Sequence, residues 1–256
     1  MREKSPSTVR VMTWNIHGAV GGNPRFDLAR VVELIERWDA DVIALQEVDS
    51  RRKMTCDNPF EFLLDALGRH GIGAKSITTT DGDYGQMLIS RWPITASEIR
   101  DISFPEREPR RAVKAEIETP FGPVRIIATH LGLSIGERRS QARSLLAMTG
   151  AHSMTTMVVG DFNDWFWPGS VRAALSRELP GYTRYRTFPS RWPLLRLDRV
   201  YCRPGEALIR SYIDGHARRC SDHLPIIADI APHQRVLSFE RPAEIRGEPH
   251  VVLDGV

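Results

Sequence analysis

The sequence is poor in cysteine. Cys56, Cys202 and Cys220 are odd in number, widely spaced and form no Cys-x-x-Cys pair. No disulfide framework or zinc site is legible, which fits a reducing compartment. Long hydrophobic runs are missing too: no stretch of about 18 apolar residues exists, so no helical membrane span is expected. Met1 to Thr8 is polar and lacks the apolar core of a signal peptide. A soluble, cytoplasmic protein is therefore expected. Surplus charge is small, with 35 Lys and Arg against 32 Asp and Glu, a net of +3. That permits a phosphate-bearing substrate without demanding a polyanion, because a dedicated duplex binder often carries a stronger basic patch. Internal repeats and low-complexity segments are not evident.

What is present is an ordinary globular composition over 256 residues, 41% hydrophobic and 26% charged. A chain of this length can bury a sizeable core. One domain over residues 8–232 is expected, with residues 233–256 as a tail or an added edge strand. Strands are expected at Val9–Ile16, Val42–Leu45, Gly73–Thr79, Tyr84–Ser90, Ile94–Ile102, Arg111–Glu118, Val124–His130, Thr155–Val159, Leu197–Cys202, Ala207–Ile213 and Leu224–Ile230. Helices are expected at Asp27–Trp38, Pro59–His70, Glu137–Met148 and Gly169–Leu179. Strands dominate, and parallel and antiparallel connections are mixed. This fits a four-layer α/β sandwich, two packed mixed β-sheets flanked by helices, better than a doubly wound parallel sheet.

The most informative stretch is Met157-Val158-Val159-Gly160-Asp161-Phe162-Asn163-Asp164. An apolar run stops at a glycine, and a carboxylate and an amide follow two positions apart. In extended backbone such positions share a side. A carboxylate can hold a hard cation or take a proton from water. An amide can donate to a phosphate oxygen without repelling it. A turn leaving a strand would use the same residues. The rest of the chain decides between these readings: Asn15, Glu47, His130, Asp161, Asn163, Asp198 and the pair Asp222-His223 all sit at strand ends or in the loops that follow. If those ends face one way, the cluster is negative, and carboxylates crowded together imply a divalent cation. Oxygen ligands without cysteine select Mg²⁺ or Mn²⁺ over zinc.

An ordered set of motifs carries a family resemblance. It comprises Thr13-Trp14-Asn15-Ile16-His17-Gly18, Leu45-Gln46-Glu47-Val48, Tyr84-Gly85-Gln86-Met87-Leu88-Ile89-Ser90-Arg91, Thr129-His130-Leu131, Gly160-Asp161-Phe162-Asn163, Leu197-Asp198-Arg199-Val200 and Ser221-Asp222-His223-Leu224-Pro225. Together they resemble the DNase I-like endonuclease/exonuclease/phosphatase superfamily, in its order and across residues 9–230. The resemblance implies that Asn15 and Glu47 hold the metal, with Asp222 assisting. It implies that Asp161 orients or deprotonates the attacking water, and that Asn163 and His130 bind the scissile phosphate. It implies that His223 acts as acid-base or stabilises the transition state, held by Asp198. Where AP endonucleases carry an acidic residue after the first motif's asparagine, this chain has His17. Asn-Ile-His-Gly is more similar to the bacterial phosphodiesterase branch, as is Glu108-Pro109-Arg110-Arg111, whose Arg110 or Arg111 is expected to reach the phosphate. Trp165, Phe166 and Trp167 either line the substrate mouth or cap a helix. The basic, aromatic stretch Arg184 to Arg196 either grips a phosphate or lipid headgroup or is a solvated loop.

The function implied is Mg²⁺-dependent hydrolysis of a phosphodiester by direct water attack, on a small or lipid-like substrate. The alternatives are a nuclease acting on DNA or RNA, and an inactive scaffold of the same fold.

Overall fold

A computed structural model describes residues 3–19, 27–51, 58–68, 70–165 and 170–232. The loop at Gly21–Pro24, Cys56, Phe166, Trp167 and residues 233–256 lie outside the described residues.

Strand β1 (Val9–Asn15) is buried along its whole length, and helix α1 (Leu28–Trp38) follows it. Asp27 caps α1 by accepting from Arg30 N, as the sequence signal implies. Strand β2 (Val42–Asp49) runs parallel to β1, pairing Asn15 with Gln46. It is four residues longer than expected, because a bulge at Glu47 lets the ladder continue to Asp49. Helix α2 (Pro59–Leu67) stops at Gly68 rather than reaching His70. His70 instead opens strand β3 (His70–Thr79), which forms a hairpin with β4 (Gly82–Ser90) around Thr80-Asp81.

The second half repeats this logic. Strand β5 (Ile94–Asp101) pairs with β6 (Arg111–Thr119), and β6 with β7 (Gly122–His130). Helix α3 (Ile135–Met148) begins two residues earlier than expected, since Ser134 and Glu137 form a capping box. Strand β8 (Thr155–Asp161) returns parallel to β7, setting His130 beside Asp161. Helix α4 (Ser170–Glu178), a two-residue strand β9 (Gly181–Tyr182), β10 (Asp198–Arg203), β11 (Leu208–Ile213) and β12 (Ile226–Ile230) complete the described chain.

The first sheet has the order β11-β12-β1-β2-β4-β3 and the second β5-β6-β7-β8-β10-β9. Position by position the two have the same directions: each has one parallel pair, β1/β2 or β7/β8, joined through a helix. This structural duplication leaves no readable sequence repeat. Any apolar side chains of suitable volume can fill such positions.

Both faces of each sheet are covered, which explains the unbroken apolar runs. Val9, Val11, Val42 and Ala44 face Val113, Ile126, Met157 and Val159 across the inter-sheet core. Met12, Trp14, Ile43 and Leu45 pack outward with Val31 and Ile35 of α1 and Leu63 of α2. Ile127 and Val158 pack outward with Leu145 of α3 and Leu175 of α4. The layers are therefore helix, sheet, sheet, helix. Among the described residues no helix is long and apolar enough to cross a membrane.

Candidate active site

The two parallel pairs end at one edge of the sandwich. From the first come Asn15 and Glu47; from the second, His130 and Asp161. Asn15 Nδ2 donates to Glu47 Oε1 at 2.9 Å and to Asp161 Oδ2 at 3.0 Å, joining the two sheets at this edge. Glu47 has φ of 57°, so the β2 bulge is what aims its side chain. Asn163 also has positive φ, 48°, and its N–H donates to Asp161 Oδ1 at 2.9 Å. The carboxylate and the amide therefore converge through an Asx turn, and the strand alternation expected for them stops at Asp161.

His130 lies at the centre of the second sheet's contribution. Arg110 Nη1 sits 3.0 Å from its Nδ1, and its Nε2 lies 3.3 Å from Asn163 Nδ2 and 3.6 Å from Asp161 Oδ2. Burial and the neighbouring Arg110 charge lower its pKa to about 3, leaving the ring neutral. Guanidinium can only donate, so Nδ1 accepts and Nε2 carries the hydrogen. Asn163 Nδ2 donates to Leu131 O at 2.9 Å, which holds the amide beside the Nε2 edge of the His130 ring.

His223 occupies the far side. Its Nδ1 lies 2.8 Å from Asp198 Oδ2 and its Nε2 3.8 Å from Asp161 Oδ2. Burial opposes the imidazolium, but the fields of Asp198 and Asp161 outweigh it and raise the pKa to about 10. Burial pushes the Asp161 carboxyl upward, against the His223 charge. Ser221 braces this loop: its Oγ donates to Asn15 O at 2.7 Å and accepts from His223 N at 3.0 Å.

The site has a dry end and a wet end. The Asp161 and Asp198 side chains are 2% and 0% exposed, whereas Glu47, Asp222 and His17 are 21%, 39% and 43% exposed. His17 Nδ1 lies 3.3 Å from Glu47 Oε2 and 3.8 Å from Asp222 Oδ1. The hydrogen bond to Glu47 raises the His17 pKa, and burial only partly offsets it. Burial works against the Glu47 charge, yet the His17 hydrogen bond helps hold its carboxyl down at about 2.

Asn15, Glu47, His130, Asp161, Asn163, Asp198, Asp222, His223 and Arg110 are thus brought together. Arg111 lines the small cavity beside His130, but its guanidinium pairs with Asp101. Trp165 stacks against Arg138, whose guanidinium carbon is 5.4 Å from the ring centroid. Sequence reasoning used His17 only as a branch marker. The Asn-Ile-His-Gly motif already held the signal that it belongs to the site. Tyr84, which opens the third motif of the ordered set, walls with Ile77, Asp49, Arg51 and Glu108 a cleft opening beside Glu47 and His17.

Paired carboxylates, a neutral imidazole, a charged imidazole and an open acidic edge are thus gathered where the two parallel strand pairs end. The chain matches the Endonuclease/Exonuclease/phosphatase family over residues 12–223 and belongs to it. Members of this family are hydrolases of phosphoester bonds. It is 30% identical over 244 residues to the Uncharacterized protein YbhP of Escherichia coli (strain K12), covering 86% of this chain and 95% of that one. Its fold is similar to the endonuclease/exonuclease/phosphatase from Beutenbergia cavernae, with a TM-score of 0.71, 20% identity and coverage of 88% of this chain and 72% of that one. It is also similar to the human Nocturnin catalytic domain, with a TM-score of 0.67, 19% identity and coverage of 90% and 97%.

Proposed function

We propose that the protein is a divalent-metal-dependent phosphodiesterase that cleaves a small or lipid-like phosphodiester by direct attack of water. The observation that carries this reading is the line Asp198–His223–Asp161–Asn15–Glu47, which runs from the buried end of the site to its open end. Asp198 fixes the His223 ring, so that Nε2 points at the reacting centre, as carboxylates do for catalytic histidines. Asp161, desolvated and basic for a carboxylate, orients the attacking water and takes its proton. His130 and Asn163 donate to one phosphate oxygen, and the charged His223 stabilises the pentacovalent transition state.

The donor set fits Mg²⁺ or Mn²⁺ at the open end. Glu47 and Asp222 offer hard carboxylate oxygens with solvent access, and Mg²⁺ keeps several of its waters. His17 Nδ1 lies between these two carboxylates, 3.3 Å from Glu47 Oε2 and 3.8 Å from Asp222 Oδ1. Asp161, Asp198 and His223 also present atoms within 4.8 Å of one another. His223 Nδ1 is already committed to Asp198, so that trio reads better as the acid-base group. The bound metal would neutralise non-bridging phosphate oxygens and the leaving oxyanion.

The test is hydrolysis of bis-p-nitrophenyl phosphate, a choline phospholipid and supercoiled plasmid, each with Mg²⁺ or Mn²⁺ and with EDTA. The reading expects cleavage of the small or lipid diester, lost in EDTA and lost in Asp161→Ala and His223→Ala proteins that still fold. Cleavage of plasmid at low enzyme would make it a nuclease. Inertness toward all three would make it a scaffold.

A further inference from the structure

The loop 187–196 is built unlike the rest of the site's rim. Its turn is fixed by its own backbone: Trp192 N donates to Pro189 O at 3.0 Å, Leu194 N to Phe188 O at 2.9 Å and Thr187 N to Leu195 O at 2.8 Å. It is also bolted to the catalytic loop. Ser190 N donates to Asp222 O at 2.6 Å, Ser190 Oγ donates to Ser221 O at 2.8 Å, and the Phe188 ring lies 4.9 Å from the His223 ring. Yet this ordered turn holds two large apolar side chains out in solvent, Trp192 at 78% exposure and Leu194 at 64%. A soluble surface has no use for a rigidly displayed tryptophan and leucine together.

Charge gives the second observation. Residues 180–197 contain no acidic side chain, and Arg184, Arg186, Arg191 and Arg196 are all exposed. Among the described residues none of the four has an acidic partner. Two are braced in place, Arg196 by donating to Arg184 O at 2.9 Å and Arg184 by stacking on Tyr182. Leu133, 60% exposed on the loop that leaves His130, and Ile135, 48% exposed at the start of α3, add aliphatic surface beyond the same strand end of the second sheet.

We infer that loop 187–196 docks the protein onto an anionic lipid surface, with Trp192 and Leu194 inserted at the headgroup level and the arginines against lipid phosphates. Indole favours the interfacial zone, aliphatic side chains gain by entering the acyl boundary, and basic residues near an anionic membrane add to the attraction. The aliphatic members separate this partner from nucleic acid. A base stacks on tryptophan or arginine, but it gains little from exposed leucine and isoleucine. The loop's hydrogen bonds to Ser221 and Asp222 would hold the catalytic edge close to the headgroups. This inference deepens the lipid-like reading of the substrate and rests on it for its purpose.

The experiment is co-sedimentation of the full chain with phosphatidylcholine vesicles containing or lacking phosphatidylglycerol, in EDTA so that no turnover occurs. Hydrolysis of soluble bis-p-nitrophenyl phosphate with Mg²⁺ is followed in parallel. Wild-type protein should bind the anionic vesicles, more weakly at high salt. The Trp192→Ala/Leu194→Ser protein should bind about tenfold less tightly while its soluble-diester turnover stays unchanged. Arg191→Glu/Arg196→Glu should lose the preference for phosphatidylglycerol. Absence of vesicle binding by wild type, or equal binding by the Trp192 variant, overturns the inference. So does Trp192-dependent binding of a labelled single-stranded oligonucleotide in place of vesicles. Vesicle binding by a protein that cleaves no diester would uphold the docking surface and sink the catalytic reading instead.

Discussion

Asn15 closes the central strand of one sheet and Asp161 closes the central strand of the other, and the amide of the first donates to the carboxylate of the second across 3.0 Å. The same amide donates to Glu47. Asn15→Ala removes both donors and leaves two carboxylates facing each other without a bridge. Turnover should fall by at least about tenfold, while stability drops by only about 1–2 kcal/mol, the cost of lost buried hydrogen bonds. Diester hydrolysis and urea denaturation on the same preparation check this. Unchanged turnover would mean the bridge has no catalytic purpose.

Asp198 Oδ2 lies 2.8 Å from His223 Nδ1, and in the proposed mechanism it acts through that ring. Asp198→Asn keeps the shape but removes the charge that fixes the ring, and should lower kcat by about 10²–10⁴ with little change in KM. His223→Ala should cost a similar factor, and the double variant little more, because residues acting as one unit are not additive. Fully additive losses would separate Asp198 from His223.

Glu47 is the more buried of the two carboxylates at the open end, 21% exposed against 39% for Asp222. Glu47→Gln should raise the Mg²⁺ concentration for half-maximal activity more than any substitution at Asp161 or His130 does. A titration of activity against Mg²⁺ reads this directly. An unshifted midpoint removes Glu47 from the ligand set.

Gly160 precedes Asp161 with φ of +144°, and a Cβ there would lie 1.9 Å from Thr129 O on the neighbouring strand. No L side chain fits without parting β7 from β8. Gly160→Ala should cost about 2 kcal/mol or more, and should displace Asp161 from His130. Denaturant midpoints and turnover should both fall. A midpoint equal to wild type would contradict the geometry.

Asp214 lies away from the site and offers a pH prediction. Burial works against its charge, but donors from Trp38, His216 N and Arg37 hold the carboxyl below its usual range. A group depressed in the fold stabilises above its unfolded pKa, about 3.9, and loses that contribution as pH falls through the folded value. The stability difference between wild type and Asp214→Asn should therefore be full near neutrality and shrink below about pH 4. Urea denaturation at several pH values measures it, and a pH-independent difference would refute the coupling.

The sequence by itself determined the family and the element order apart from the two-residue strand β9. Apolar runs bounded by glycine, proline and acidic residues mark strands such as β1, β7 and β8, because a strand buried on both faces cannot hide its composition. Motifs such as Gly160-Asp161-Phe162-Asn163 named most of the site, since each polar residue had to interrupt an apolar run to reach the edge. The tertiary structure alone decided how those residues meet. The bulge at Glu47 and the left-handed turn at Asn163 are backbone conformations that no side-chain pattern encodes. The place of His17 between Glu47 and Asp222 depends on strands and loops more than 200 residues apart in the case of Asp222. Arg110 and Arg111 are adjacent and alike in sequence. Only their alternation along the start of β6, one toward His130 and the other toward Asp101, assigns them different neighbours. The duplicated sheet order is likewise a tertiary fact: hydrogen-bond direction and packing reproduce it without any repeated residue.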